Sequence, residues 1–95
     1  MRFDRAYRRD RAIVADSGFF DAAWYRQTYP GAAGWDPLDH YLVRGRAERT
    51  SPGPRFDAPA YLAANPDIAA EGHDPLVHYI EFGRRERRPL GPGQG

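Results

Sequence analysis

Phe56-Asp57-Ala58-Pro59-Ala60-Tyr61, continuing through Asn65-Pro66-Asp67 and Gly72-His73-Asp74-Pro75-Leu76-Val77-His78-Tyr79 to Gly83 and Glu86-Arg87, repeats an earlier stretch of the chain. That stretch opens Phe20-Asp21-Ala22-Ala23-Trp24-Tyr25 and runs through Pro30 and Gly34-Trp35-Asp36-Pro37-Leu38-Asp39-His40-Tyr41 to Gly45 and Glu48-Arg49. The offset is 36 residues as far as Pro30 and Pro66 and 38 from Gly34 and Gly72 onward, so the second copy has two extra residues in one loop. Duplication at this level of detail makes each copy a supersecondary unit that buries its apolar face against its neighbour.

Local signals within each copy are helical. Asp21 and Asp57 stand where a carboxylate accepts from the free amides of a first turn. Phe20 and Phe56 precede these caps, and Tyr25 and Tyr61 fall at the fourth helical position, the spacing of a hydrophobic staple. Pro30 and Pro66 should end these helices early, because proline disfavours helical geometry at the preceding residue. Asp36-Pro37 and Asp74-Pro75 then pair a capping carboxylate with proline at the first helical position, where its missing N–H costs nothing. Gly45 and Gly83 are expected to close the second helices as left-handed caps. Upstream, Asp4 to about Asp16 reads as an arginine-rich helix with Phe3, Tyr7 and Val14 on one stripe, ending near Ser17-Gly18 and packing on the first copy. At 100° per residue Leu38, Tyr41 and Leu42 share one side of a second helix, as do Leu76, Tyr79 and Ile80, and this stripe is the predicted core. His40 and His78 point nearly the opposite way. The expected fold is all-α, about five short helices. Residues 1–18 form an N-terminal arginine-rich helix, 19–54 and 55–92 two tandem helix-turn-helix repeats, and 93–95 a tail.

Composition narrows the function. A chain of 95 residues buries only a limited core and leaves little room for an enclosed active site. With no cysteine it can form neither a disulfide framework nor a thiolate site. All fourteen basic residues are arginine, but thirteen carboxylates bring the formal charge to +1, which is no footprint for bulk phosphate binding. No apolar run approaches the ~20 residues of a membrane span, and Met1-Arg2-Phe3-Asp4 opens a charged segment without a signal-peptide core. The expectation is a product made in the cytoplasm without a signal peptide and without membrane insertion.

The combined pattern of Phe-Asp, Tyr, Asn65-Pro66-Asp67, Asp-Pro-Leu, His-Tyr, Gly and Glu-Arg resembles a repeat of bacterial proteins of surface polysaccharide metabolism, where it sits beside or between glycosyltransferase domains. The resemblance covers roughly Ser17 to Pro92. The chain departs from the repeat where Arg49 and Arg87 replace a glycine, where Thr50 replaces an arginine, and where Tyr29-Pro30-Gly31 stands in place of Asn-Pro-Asp; no transferase domain is present in these 95 residues. In size, arginine- and alanine-rich style and polysaccharide connection it also resembles, more loosely, head-spike proteins of phage-like gene transfer particles that attach to a bacterial capsule. That likeness implies release in a particle by lysis.

Among candidate sites, His40 and His78 are the repeated titratable pair. A metal site wants three or four converging ligands, whereas each copy offers one histidine with at most Glu48 or Glu86, so packing is the expected role. Glu48 and Glu86 read as loop-anchoring acceptors, Ser17 and Ser51 lie in no nucleophile elbow, and Gly31 and Gly34 follow no strand that would make a phosphate loop. Trp24 and Trp35 break the repeat, since Ala60 and His73 occupy their places in the second copy. They are therefore candidates for a sugar platform or protein anchor, or, for Trp24, for packing on the N-terminal helix. Arginines cluster at Arg2, Arg5, Arg8, Arg9 and Arg11, and again at Arg84, Arg85, Arg87 and Arg88. No base-reading element accompanies them, so an acidic protein surface or anionic polysaccharide is expected rather than nucleic acid.

The expected function is a non-enzymatic structural or adaptor protein docked among the subunits of a larger assembly, a phage-like particle component such as a head spike or its base, linked to attachment to bacterial surface polysaccharide. The alternative is a stand-alone glycan-binding or regulatory module working with a polysaccharide glycosyltransferase. A metal-dependent enzyme would require His40 and His78 to converge. No cofactor, metal or catalytic residue is expected, and the candidate contacts are Trp24, Trp35, Arg84, Arg85, Arg87 and Arg88.

Overall fold

The protein is described by a computed structural model covering residues 5–91. Phe3, Arg2, the start of the N-terminal helix at Asp4, and the tail at 93–95 lie outside the described residues. The fold is all-α. Helix α1 spans Arg5–Asp16, α2 Ala22–Thr28, α3 Pro37–Glu48, α4 Ala58–Ala64, α5 Pro66–Glu71 and α6 Pro75–His78. A 3₁₀ turn at Pro30–Ala32 follows α2, and α6 widens into a π turn at Tyr79–Gly83. Among the described residues there are thus six α-helices rather than the expected five, and no strand beyond one bridge between Gly53 and Phe56.

The extra helix comes from the two-residue insertion. In the first copy Pro30 opens only a 3₁₀ turn; in the second the longer segment completes the helix α5 after Pro66. The prolines therefore end α2 and α4 and begin new elements at once, as their fixed φ allows. The matching residues Ala32 and Ile68 both point inward and are buried. Gly34 and Gly72 then turn the chain with φ of 87° and 79°.

All four predicted caps are formed. Asp21 accepts from the Trp24 amide, Asp57 from Ala60, Asp36 from Asp39 and Asp74 from Val77, each at 3.0 Å. The staples close as well: the Phe20 and Tyr25 rings lie 5.7 Å apart and those of Phe56 and Tyr61 5.3 Å. Helices of one to three turns are marginal alone, so these contacts hold elements that would otherwise melt. The core runs through Val14, Tyr25, Leu38, Tyr41, Phe56, Tyr61, Leu76 and Val77. Leu42, Tyr79 and Ile80 of the predicted stripe are half-buried against it.

Helix α1 does not serve the first copy alone. It packs on both α3 and α6. Arg11 reaches the two acids at the start of α3, Nη2 to Asp36 and Nε to Asp39, both at 2.9 Å, and the Tyr7 hydroxyl donates to Asp39. Arg9 pairs with Glu81 in the second copy. At its end the Ser17 hydroxyl donates to the Val14 carbonyl and Gly18 turns with φ of 79°, as the sequence predicts.

Gly45 and Gly83 are not left-handed caps. Both are buried close-approach positions: a Cβ on Gly45 would sit 2.9 Å from Thr50 Oγ1, and one on Gly83 would run into the Tyr61 hydroxyl. Helix α3 continues past Gly45 to Glu48, and the left-handed residue is Arg49, φ 59°; its counterpart Arg87 has φ 55°. The glycines are there for space, and the arginines adopt the conformation that glycine would have eased.

Gly83→Ala should accordingly lower stability by about 1–3 kcal/mol, a loss of ~4–8 °C in melting temperature per kcal/mol for a domain of this size. Gly31→Ala, with φ negative and open space around it, should stay within ~0.5 kcal/mol of the parent. Thermal unfolding of the two variants side by side checks this; equal melting temperatures would refute the crowding at Gly83.

Candidate functional site

The chemistry-bearing side chains gather first inside each hairpin. Helix α2 delivers Tyr25 and α3 delivers His40, and the Tyr25 hydroxyl lies 2.8 Å from His40 Nδ1. The second copy repeats this with Tyr61 and His78, again at 2.8 Å. Both histidines are buried, His40 at 1% and His78 at 8% exposure, so the side of the second helix opposite the predicted stripe is packed on the first helix of its own hairpin. In the first copy the cluster extends. His40 Nε2 faces Glu48 Oε1 at 3.3 Å, and Tyr25 also meets Thr50 Oγ1 at 2.8 Å. The arrangement that satisfies every group has Nε2–H donating to Glu48, Tyr25 O–H donating to Nδ1 and Thr50 donating to Tyr25. Burial pushes the Tyr25 hydroxyl up to about 12, and Tyr61 likewise. Burial and the nearby Arg88 lower His78.

These clusters read as locks. In place of the expected loop anchors, Glu48, the last residue of α3, bridges His40 and Arg44 of its own helix, and Glu86 accepts from Arg88 Nε two residues on at 2.8 Å. Among the described residues no group of three or more His, Asp or Glu converges as metal ligands would. No helix of the described residues is long and apolar enough to cross a membrane.

The loop after each second helix is tied back to the end of the first helix by different atoms in the two copies. Tyr29 and Asn65 occupy equivalent positions, as do Ser51 and Pro89. In the first copy the Ser51 amide donates to the Tyr29 hydroxyl at 2.9 Å; in the second Asn65 Nδ2 donates to the Pro89 carbonyl at 2.9 Å. Proline has no N–H, so the residue opposite must supply the donor, and asparagine does. Arg88 adds bonds to Asn65 Oδ1 and Asp67 Oδ1, 3.2 and 3.0 Å.

The six candidate contact residues separate into three places. Trp35 is 37% exposed and stands edge-on to His40, ring centroids 5.4 Å apart, over a shallow hollow that includes Arg26, Tyr29 and Gly34. Trp24 is half-buried, edge-on to Tyr29 at 5.8 Å, beside the connection Ser51–Pro54. It packs against the core cluster. Arg84, Arg87 and Arg88 border one crevice with Tyr79 and Gly83. Arg84 lies over the Tyr79 ring at 5.8 Å. Arg85 turns away, over Phe82 and onto the Glu81 carbonyl.

Sequence reasoning did not anticipate the contacts between the copies. The Tyr41 hydroxyl donates to Asp74 at 3.4 Å, and Arg46 donates to the carbonyls of His73 at 2.8 Å and Ala69 at 2.9 Å. The loss of solvent around Asp74 drives its carboxyl up to about 6, against the Val77 amide and Tyr41 hydroxyl that favour its charged form. Burial raises Tyr41 well above the usual phenol range. Comparison with family models, curated proteins and solved structures gave no match to the chain.

Two predictions follow from these bonds. Tyr25→Phe strands both His40 Nδ1 and Thr50 Oγ1, a cost of about 1–3 kcal/mol, whereas Tyr61→Phe strands only His78 Nδ1. Urea midpoints should therefore fall further for Tyr25→Phe, and the reverse order would exclude the lock described for the first copy. Asp74 holds its proton more tightly folded than unfolded. Its contribution is present below the ordinary carboxylate range and is lost as pH rises through about 6, by ~3 kcal/mol at most. In Asp74→Asn, which keeps a capping side chain, stability measured from pH 4 to 7 should lack that decline. Parallel pH profiles for parent and variant would contradict the assignment.

Proposed function

We propose that this protein is a non-enzymatic structural or adaptor module docked in a larger assembly, a phage-like particle component such as a head spike or its base, linked to attachment to bacterial surface polysaccharide. The observation that carries the non-enzymatic part is the use made of the repeated tyrosine and histidine. Tyr25–His40 and Tyr61–His78 are buried within separate hairpins and paired at 2.8 Å, so neither histidine is presented to a substrate. What faces outward is interaction chemistry: Trp35, Phe82 and Leu90 exposed, with Arg84, Arg85 and Arg87 beside the last two. The polysaccharide link rests on the resemblance of the repeat, and the particle on the looser likeness in size, arginine- and alanine-rich style and polysaccharide connection.

Sedimentation of a native lysate tests the assembly. The chain should travel with particles through a density gradient and leave them only under conditions that break subunit contacts. Recovery entirely as a free small protein, in a lysate where particles are intact, would remove the reading. A glycan-binding module is favoured by one feature, the exposed Trp35 ring beside Arg26 at a shallow hollow, since an aromatic face with a nearby donor suits a sugar ring. On that reading purified capsular polysaccharide binds the chain and Trp35→Ala abolishes binding; retention of binding by the variant would discard it.

A further inference from the structure

The contact between the two repeats uses a surface that the second repeat also has. Where the two repeats meet, Tyr41, Gly45, Arg46, Arg49 and Thr50 of the first and Ala58, Pro59, Leu62, Asp74 and Pro75 of the second line opposite sides of one crevice. Shifted by 38, the same positions are Tyr79, Gly83, Arg84, Arg87 and Arg88, and these border the crevice at the far side of the second repeat. Four of the five residues are identical.

The donors are matched too. Across the internal contact Tyr41 gives its hydroxyl to the capping carboxylate Asp74, and Arg46 gives two N–H groups to the carbonyls of Ala69 and His73. Tyr79 and Arg84 are their counterparts. Among the described residues no carboxylate or carbonyl accepts from either side chain; Arg84 lies over the Tyr79 ring and is exposed. The tyrosine and glycine are explained by the hairpin interior, but Arg84 makes no contact there that would require arginine. Its identity with Arg46 is explained by a partner that offers what Ala69, His73 and Asp74 offer.

We propose that the crevice bordered by Tyr79, Gly83 and Arg84 is a docking site for a further hairpin of the same kind, carried by a partner chain. This deepens the adaptor reading above and rests on it for the existence of such a partner. The occupant's chemistry is that of the internal contact: a short helix ending in free carbonyls for Arg84, an Asp-Pro start whose carboxylate meets Tyr79, and small or aliphatic residues at the places of Ala58, Pro59 and Leu62. A second copy of this chain fits less well. Its first repeat carries Arg26 where the second carries Leu62, facing Arg84 and Arg87, and its Asp36 is already paired with Arg11 at 2.9 Å.

The test places the proposed occupant in cis at high effective concentration. Residues 55–92 are copied once more directly after Pro92 of the full chain, which keeps the 38-residue register. The added unit should fold onto the crevice, shifting the amide resonances of Tyr79, Gly83 and Arg84 and unfolding together with the parent repeats. Arg84→Glu in the extended chain should weaken docking by about tenfold to a hundredfold while the unextended chain with the same substitution stays folded. An added unit that stays unfolded or moves as a separate bead, with those amides unshifted, would overturn the proposal. Concentration-dependent shifts of the same amides in the unextended chain would give the crevice to a second copy and overturn it equally. Neither result depends on particles, so failure here is distinct from failure of the particle sedimentation.

Discussion

The bond between a buried tyrosine hydroxyl and a buried histidine ring is what closes each hairpin. A first helix of seven residues has too little apolar surface to hold itself against a partner helix, and it lacks the length to be stable alone. Placing Tyr25 and Tyr61 at the staple position puts one face of the ring on the preceding phenylalanine and the hydroxyl on the next helix. The same residue thus fixes how the chain enters the hairpin and how the hairpin shuts. A histidine suits the other end because, neutral, it presents an acceptor at Nδ1 without bringing a charge into the core. Phenylalanine and leucine at these places would fill similar volume but would not fix the angle between the helices.

With the hairpins shut by polar locks, the contact between them could be built from main-chain carbonyls and one carboxylate. Arg46 reaches the open end of α5 and the loop before α6, where carbonyls lack helical partners. Tyr41 meets the cap of α6, as Arg11 of α1 meets the cap of α3. Each second helix therefore begins on a carboxylate met from an earlier helix, Asp36 from α1 and Asp74 from α3, and the array has a direction. Helix α1 occupies its beginning, packing on both second helices with Arg9 and Arg11 in ion pairs.

Much of this was legible in the residues. The four caps, both staples, the end of α1 at Ser17-Gly18 and the all-α class follow from spacing rules that act over three or four residues, and the duplication made each of them visible twice. The pairing of Tyr25 with His40 was not legible, although tyrosine and histidine recur together at the fourth helical position of successive helices in both copies. Periodicity sorts a helix into faces but cannot say that both faces are covered, and that is the case for α3 and α6. The glycines misled for a related reason. A glycine late in a helix signals a left-handed cap or a close approach, and only the position of a distant tyrosine decides between them.

The arginines at 49 and 87 carry the argument furthest. A side chain held at φ near 55–59° costs roughly 1–2 kcal/mol, and glycine would avoid it. Strain of this kind persists where the surroundings or the function require that side chain. Arg49 borders the internal crevice between the repeats, and Arg87 borders its open counterpart. A purely local explanation would have to account for the same unfavourable choice in both copies although their loops are tied by different bonds, Tyr29 to Ser51 in one and Asn65 to Pro89 in the other. What the two sites share is a place at the border of matching crevices.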